Sequence, residues 1–256
     1  MMDLKAKDDR MPSYYEDVLK QLDRELEQFS PVDSQIGKED SFTIISAVIT
    51  GHSNKIKKMI NDKVDINRAN HEGWTPLMYA LTNGCSEAVT LLMKANADYK
   101  VLNFKGTNAL GLGGAYGHRG SLRNFCKALA EMKGSITLHE ALNTRDAYQK
   151  TPLHYAAENS QWQAAQVLIE NGADLDVQDA EGNTPLMLAV KTKKDRMTIQ
   201  QLLKGGADVN VANNKGELPI QVVKPTLRYL FQPDHDQPQE EEEEEEESDS
   251  EDDDIV

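Results

Sequence analysis

Six histidines and two cysteines (His52, His71, His118, His139, His154, His235, Cys85 and Cys126) are the residues of this 256-residue chain with the most chemistry to offer. A metal site needs several such ligands close together in sequence or arranged in spaced pairs, and no two of these eight stand at that spacing. Two cysteines are too few for a four-cysteine zinc site or a disulfide framework, and nothing around Cys85 marks an activated thiol. The glycine clusters Gly111-Leu112-Gly113-Gly114 and Gly205-Gly206 lack phosphate-loop spacing, and no Lys-Ser or Lys-Thr follows either. Ser248 and Ser250 each precede an acid by three positions (Glu251, Asp253), the pattern acidophilic kinases favour. The chain is therefore read as a non-enzyme with no catalytic, cofactor or metal residues, and its function as binding.

The charge is distributed very unevenly. Lys and Arg number 28 against 43 acids, and 15 of those acids lie between Asp234 and Asp254 with no base among them. The remaining 28 acids match the 28 bases, so the body is neutral and gives no electrostatic reason to bind nucleic acid. Residues 232–256 are expected to be a disordered acidic tail, because like charges repel and there is nothing apolar to bury. No apolar run approaches the roughly 18 residues of a membrane span. The opening Met-Met-Asp-Leu-Lys-Ala-Lys-Asp-Asp-Arg has no apolar core of a secretory signal. With so few cysteines, the expected setting is reducing: cytoplasmic, nuclear or both.

Any candidate residue must be positioned by a repeat. Gly73-Trp74-Thr75-Pro76-Leu77 returns as Gly106-Thr107-Asn108-Ala109-Leu110, Lys150-Thr151-Pro152-Leu153, Asn183-Thr184-Pro185-Leu186 and Glu217-Leu218-Pro219-Ile220. A degenerate earlier copy places Phe42 in the threonine slot, and the successive spacings are then 33, 33, 43, 33 and 34 residues. Within each copy the threonine slot suits an N-cap and the proline suits the first helical turn. A second helix follows, with apolar pairs at helical spacing (Val89, Leu92, Met93; Val167, Leu168; Ile199, Leu202, Leu203). Stops such as Asn171-Gly172-Ala173-Asp174 and Gly205-Gly206-Ala207-Asp208 suit a left-handed C-cap.

On these residues the chain resembles ankyrin repeat proteins. Thr-Pro-Leu-His-Tyr-Ala-Ala at 151–157, the Gly-Ala-Asp stops and the Asp-x-x-Gly turn at 179–182 carry the likeness. The resemblance implies an all-α solenoid of stacked helix pairs with turn or hairpin fingers. It would comprise about five repeats and a truncated C-terminal cap over residues 35–231. One such unit cannot bury its helix pair alone, so neighbours must stack and the end units must be modified to face water. Residues 1–12 are expected to be disordered. Ser13-Tyr14-Tyr15-Glu16 then opens an amphipathic helix at 13–30, with Val18, Leu19, Leu22, Leu26 and Phe29 on one face. This helix is read as a cap over the first repeat or as a partner-binding helix.

The resemblance also implies where a partner sits: on the turn tips and first-helix ends lining a concave groove. Those slots hold His71, Glu72, Trp74, Phe104, Lys105, Tyr148, Lys150, Glu181 and Asn183, then Asn83, Tyr116, Glu158, Asn159 and Lys191. The partner-binding set is His71, Glu72, Trp74, Phe104, Lys105, Tyr116, Tyr148 and Lys150, with the aromatics foremost because aromatics and Arg dominate hot spots. His52, His118 and His154 fall in slots whose imidazoles bond locally in similar repeats, and Asn210 matches the family's asparagine-hydroxylation pattern. The expected function is a monomeric adaptor for another protein, with an acidic tail open to phosphorylation as an auxiliary contact. The alternative is a chaperone-like binder of a basic client through that tail. The third copy departs most from the pattern. Gly111, Gly113 and Gly114 should weaken its first helix, Gln149 stands at a turn position that favours glycine, and ten extra residues fall near 129–145. Leu129 to Lys133 is read as a helix extension and Gly134 to Glu140 as a bulging loop.

Overall fold

The computed structural model describes residues 39–132, 135–192 and 196–231. The expected segment 1–12, the helix at 13–30 and the tail at 232–256, with Ser248 and Ser250, lie outside the described residues.

Each repeat is a pair of helices. The first helices are α1 (Glu39–Ile49), α3 (Pro76–Thr82), α5 (Ala109–Tyr116), α8 (Pro152–Glu158), α10 (Pro185–Thr192) and α12 (Pro219–Val222). The second helices are α2 (Ser53–Asn61), α4 (Ser86–Lys94), α6 (Arg119–Glu131), α9 (Trp162–Glu170) and α11 (Arg196–Gly205). An extra helix, α7 (Ser135–Leu142), follows α6, and a 3-10 turn at Pro225–Phe231 closes the stack. First helices pack on first helices and second on second, giving two layers. No strand forms among the described residues; a single antiparallel bridge joins Leu102 to Asn108.

The caps form where spacing predicts them. The hydroxyl of Thr75 accepts from the backbone N–H of Met78 at 3.4 Å, and that of Thr184 from Met187 at 3.2 Å. Asn108 does the same work in the third repeat, its Oδ1 accepting from Gly111 at 2.7 Å. Between the layers lies one continuous apolar core, from Ile44, Val48 and Ile56 through Leu92, Leu122 and Phe125 to Leu168, Ile199 and Leu202. Cys126 belongs to it, and burial pushes its thiol up to about 12.

The glycines of the third repeat lie within a formed helix and meet close neighbours. A Cβ on Gly114 would stand 2.4 Å from the carbonyl oxygen of Pro152 in α8, and one on Gly113 would stand 3.0 Å from Leu122 Cδ2 in α6. One expectation about the insertion is overturned. Ser135 to Glu140 do not form a bulging loop, since residues from Ser135 onward are the helix α7, and Gly134 lies outside the described residues. Leu138, Ala141 and Leu142 recur three and four apart, so a helix sends all three inward, and Ala141 and Leu142 are fully buried. Of the helix extension expected at Leu129 to Lys133, Leu129 to Glu131 form the end of the longer α6, Met132 is its C-cap and Lys133 lies outside the described residues.

The insertion leaves the register of the stack intact. Asp98 N–H donates to Asn67 Oδ1 at 2.8 Å and Asp208 N–H to Asp176 Oδ1 at 2.8 Å, each linking a repeat to the next. Asp174 N–H makes the equivalent bond to Asn143 Oδ1, 2.9 Å, so the chain re-enters register directly after α7.

Candidate protein-binding surface

Five fingers project between successive repeats, each built on an Asx turn. In finger one, Asn70 Oδ1 accepts from the N–H groups of Glu72 and Trp74 at 3.0 and 2.9 Å. Asn103 does so for Lys105 and Thr107, Asp146 for Tyr148 and Lys150, Asp179 for Glu181 and Asn183, and Asn213 for Lys215 and Glu217. One backbone bond joins each finger to the next: Phe104 N–H to Glu72 O, Ala147 to Gly106 O, Ala180 to Tyr148 O and Asn214 to Glu181 O, all 3.1–3.3 Å. The fingers of this ladder are pressed so close that a Cβ on Gly73 would meet the Phe104 nitrogen at 2.9 Å. In finger three the equivalent residue, Gln149, takes φ 59° with a side chain attached.

Fingers two and three carry an exposed apolar cluster. Phe104 is 80% exposed, Tyr148 54% and Leu102 46%, three of the four large apolar side chains most open to solvent among the described residues. Leu102 escapes a reading based on repeat slots, yet a period-two signal was present. Leu102 and Phe104 flank Asn103 in extended chain, so when Asn103 turns inward both neighbours turn out. Lys105 and Arg145, exposed beside this cluster, make no ion pair among the described residues.

The other expected residues fall in several environments. Trp74 is not on the surface. It is 6% exposed, with its ring centroid 5.2 Å from that of Tyr79, because the Asx turn holds its backbone while the indole folds onto the helix below. Lys150 is largely covered, its Nζ 2.7 Å from Glu158 Oε2 and 5.5 Å from the centre of the Tyr155 ring, so its charge is already neutralised within the repeat. Tyr116 is half-buried, and that burial raises its phenol above the usual range. His71 and Glu72 are exposed on finger one. Asn183 is buried, its Oδ1 accepting from Lys191 Nζ at 2.6 Å. Asn210 is exposed, its backbone and side-chain N–H groups both donating to Asp208 Oδ1.

The buried polar groups beneath the fingers are structural. His154 Nδ1 accepts from the Thr151 N–H at 3.1 Å, which leaves the proton on Nε2, donated to the carbonyl of Asn183 at 3.1 Å. Burial chiefly lowers its pKa, keeping the ring neutral. Asn70 Nδ2 donates to the Tyr79 hydroxyl at 3.1 Å, and Asp146 Oδ2 accepts from that of Tyr155. In finger two the corresponding position is Leu112, and Asn103 Nδ2 is buried without a partner. The thiol of Cys85 donates to the Val48 carbonyl at 3.3 Å and is raised by burial, the opposite of nucleophile activation. No group of acids, histidines or cysteines suited to a metal occurs among the described residues. No helix among them is long and apolar enough to cross a membrane.

Comparison with known proteins agrees with this geometry. A family model of ankyrin repeats matches residues 14–103 and 115–213. A yeast relative from Saccharomyces cerevisiae, target of rapamycin complex 2 subunit AVO2, is 31% identical over 166 residues, 60% of this chain and 35% of its own. A Rickettsia bellii putative ankyrin repeat protein is 41% identical over 69 residues, 26% of this chain and 38% of its own. Human neurogenic locus notch homolog protein 1 is 30% identical over 138 residues, 54% of this chain but 5% of its own length. The chain thus spans well under half of each of these relatives. Among solved structures, the crystal structure of the ankyrin repeat protein EF0377 superposes with a TM-score of 0.63 at 23% identity, covering 73% of this chain and 95% of that one.

Proposed function

The chain belongs to the ankyrin repeat family, whose repeats are protein-binding scaffolds rather than enzymes, and from that premise we propose that it is a monomeric adaptor holding another protein against fingers two and three. One observation carries this reading: Phe104, Leu102 and Tyr148 stand exposed on two adjacent, hydrogen-bonded fingers, where the described repeats leave their apolar area uncovered. The fold supplies the rigidity. Five Asx turns and a backbone ladder hold the tips before a partner arrives, so little conformational entropy is lost on binding. A subunit role in a larger assembly, which the yeast relative's name carries, is one form of the same reading. Cytoplasmic or nuclear placement and a surface that avoids nucleic acid belong to the proposal as well.

The test is affinity capture from cell extract with the full chain and with a Phe104→Ala/Tyr148→Ala variant. Both side chains are exposed, so the double variant should fold normally, and it should lose the partner. Retention of every partner by this variant would sink the reading. The rival, a chaperone for a basic client, rests on the 15 acids between Asp234 and Asp254. It predicts basic partners that ignore the aromatic substitutions and leave at moderate salt. Asn210 is proposed as a hydroxylation site on its exposure, checked by one added oxygen on its peptide in mass spectra.

A further inference from the structure

We propose that the acidic segment of this chain beyond Phe231 is itself an occupant of fingers two and three, competing with the partner for that surface. The proposal rests on the reading of those fingers as the contact surface. Its first support is charge. The exposed charges of the fingers differ in sign: finger four presents Asp176 and Glu181, whereas fingers two and three present Lys105 and Arg145 without ion partners among the described residues, and finger five presents Lys215. The segment from Asp234 to Asp254 holds 15 acids and no base, on a body of zero net charge. A separate acidic partner approaching Lys105 and Arg145 would be repelled by those carboxylates, so the occupant most favoured by the charges is the segment itself.

Reach and tethering are the second support. The described chain ends at Phe231, in the 3-10 turn packed on α11, about three repeats from finger two, or about 30 Å along the stack at about 10 Å per repeat. Crossing from that layer to the fingers lengthens the path, but residues 232–256 span about 80 Å when extended at about 3.3 Å each, which covers it. A tether of this kind gives an effective concentration on the order of millimolar, so a contact of only millimolar affinity is about half formed. The apolar pair Ile255-Val256 follows the last acids and matches the chemistry of Leu102, Phe104 and Tyr148. Phosphorylation of Ser248 and Ser250 would add about 1.5 to 2 negative charges each and tighten the contact, making the surface less available.

A photoreactive benzoylphenylalanine placed at position 104 of the full chain tests this directly. Arg228 is the last Lys or Arg, so trypsin releases Tyr229 to Val256 as one peptide that reports any cross-link. The expected result is a cross-link to that peptide at monomer size, falling several-fold at about 0.5 M salt and in a Lys105→Glu/Arg145→Glu variant. Both substituted residues are exposed, and circular dichroism is the check that the variant folds. A control probe at the exposed Lys127, on the second-helix layer of the third repeat, should label the peptide less. Equal labelling from Lys127, a cross-link only at dimer size, or indifference to the charge reversals each overturns the proposal. If capture of the partner still depends on Phe104 and Tyr148 while no such cross-link forms, the contact surface stands and only the competing segment is rejected.

Discussion

In the fourth repeat, His154 ties the Thr151 N–H to the carbonyl of Asn183, and the Tyr155 hydroxyl closes on Asp146 in the finger above. In the third repeat the same two positions are Gly111 and Leu112, and neither can make a side-chain hydrogen bond. Backbone proximity takes over: α5 lies so close to α8 that Gly114 has no room for a Cβ, and the helix is held by packing. The fourth repeat is thus closed by polar bridges within itself. The third is closed by its neighbour, with a buried Asn103 nitrogen left unpaired beneath finger two. The side of the stack where internal pairing is least complete is also the side where Leu102 and Phe104 face solvent. A regular repeat spends its side chains on its own register, whereas an irregular one leaves them available.

That contrast can be broken by substitution. His154→Leu should have the largest effect, because it leaves the buried Thr151 N–H without a partner and takes one of two donors from the Asn183 carbonyl, which keeps the Asp179 N–H; a loss of roughly 2–3 kcal/mol is expected from urea unfolding. Gly114→Ala should follow, at about 1–3 kcal/mol. Helix propensity alone predicts the opposite sign, a gain of about 1 kcal/mol, so a stabilised variant would show that the close approach to Pro152 is unimportant. Leu112→Tyr sharpens the comparison from the other direction. It offers Asn103 Nδ2 the hydroxyl that Tyr79 gives Asn70, and should raise stability by about 1 kcal/mol in the same assay.

The pH effect should be the smallest. Burial holds the folded pKa of His154 below the ordinary histidine value, so the unfolded chain takes up a proton that the folded one refuses. This contribution is complete above about pH 6.5 and shrinks as pH falls below it. Thermal melts at pH 7.5 and 5.5 should show the loss, and His154→Leu should remove that part of it.

Much of this was legible before any coordinates. Spacings of 33, 33, 43, 33 and 34 residues, the Thr-Pro caps and the apolar pairs of the second helices determine the stack, because each depends on residues near one another in sequence. The structural role of His154 was implied by the resemblance to similar repeats. The insertion was legible as an interruption but not as a helix, since Gly134 pointed to a loop while Leu138, Ala141 and Leu142 gave only a short apolar stripe.

What the tertiary structure alone decided is which aromatics face water. Trp74, Phe104 and Tyr148 all sit on fingers and look alike as candidates. Whether a ring turns onto the helix below or away from it depends on what that helix and the adjoining finger present. Trp74 finds Tyr79 and is buried, while Phe104 lies against Gly73 of the preceding finger and remains exposed. Contacts of that kind join residues that no local periodicity connects. The sequence by itself therefore determined the number and order of the repeats, and packing between repeats decided which of their side chains remain available to a partner.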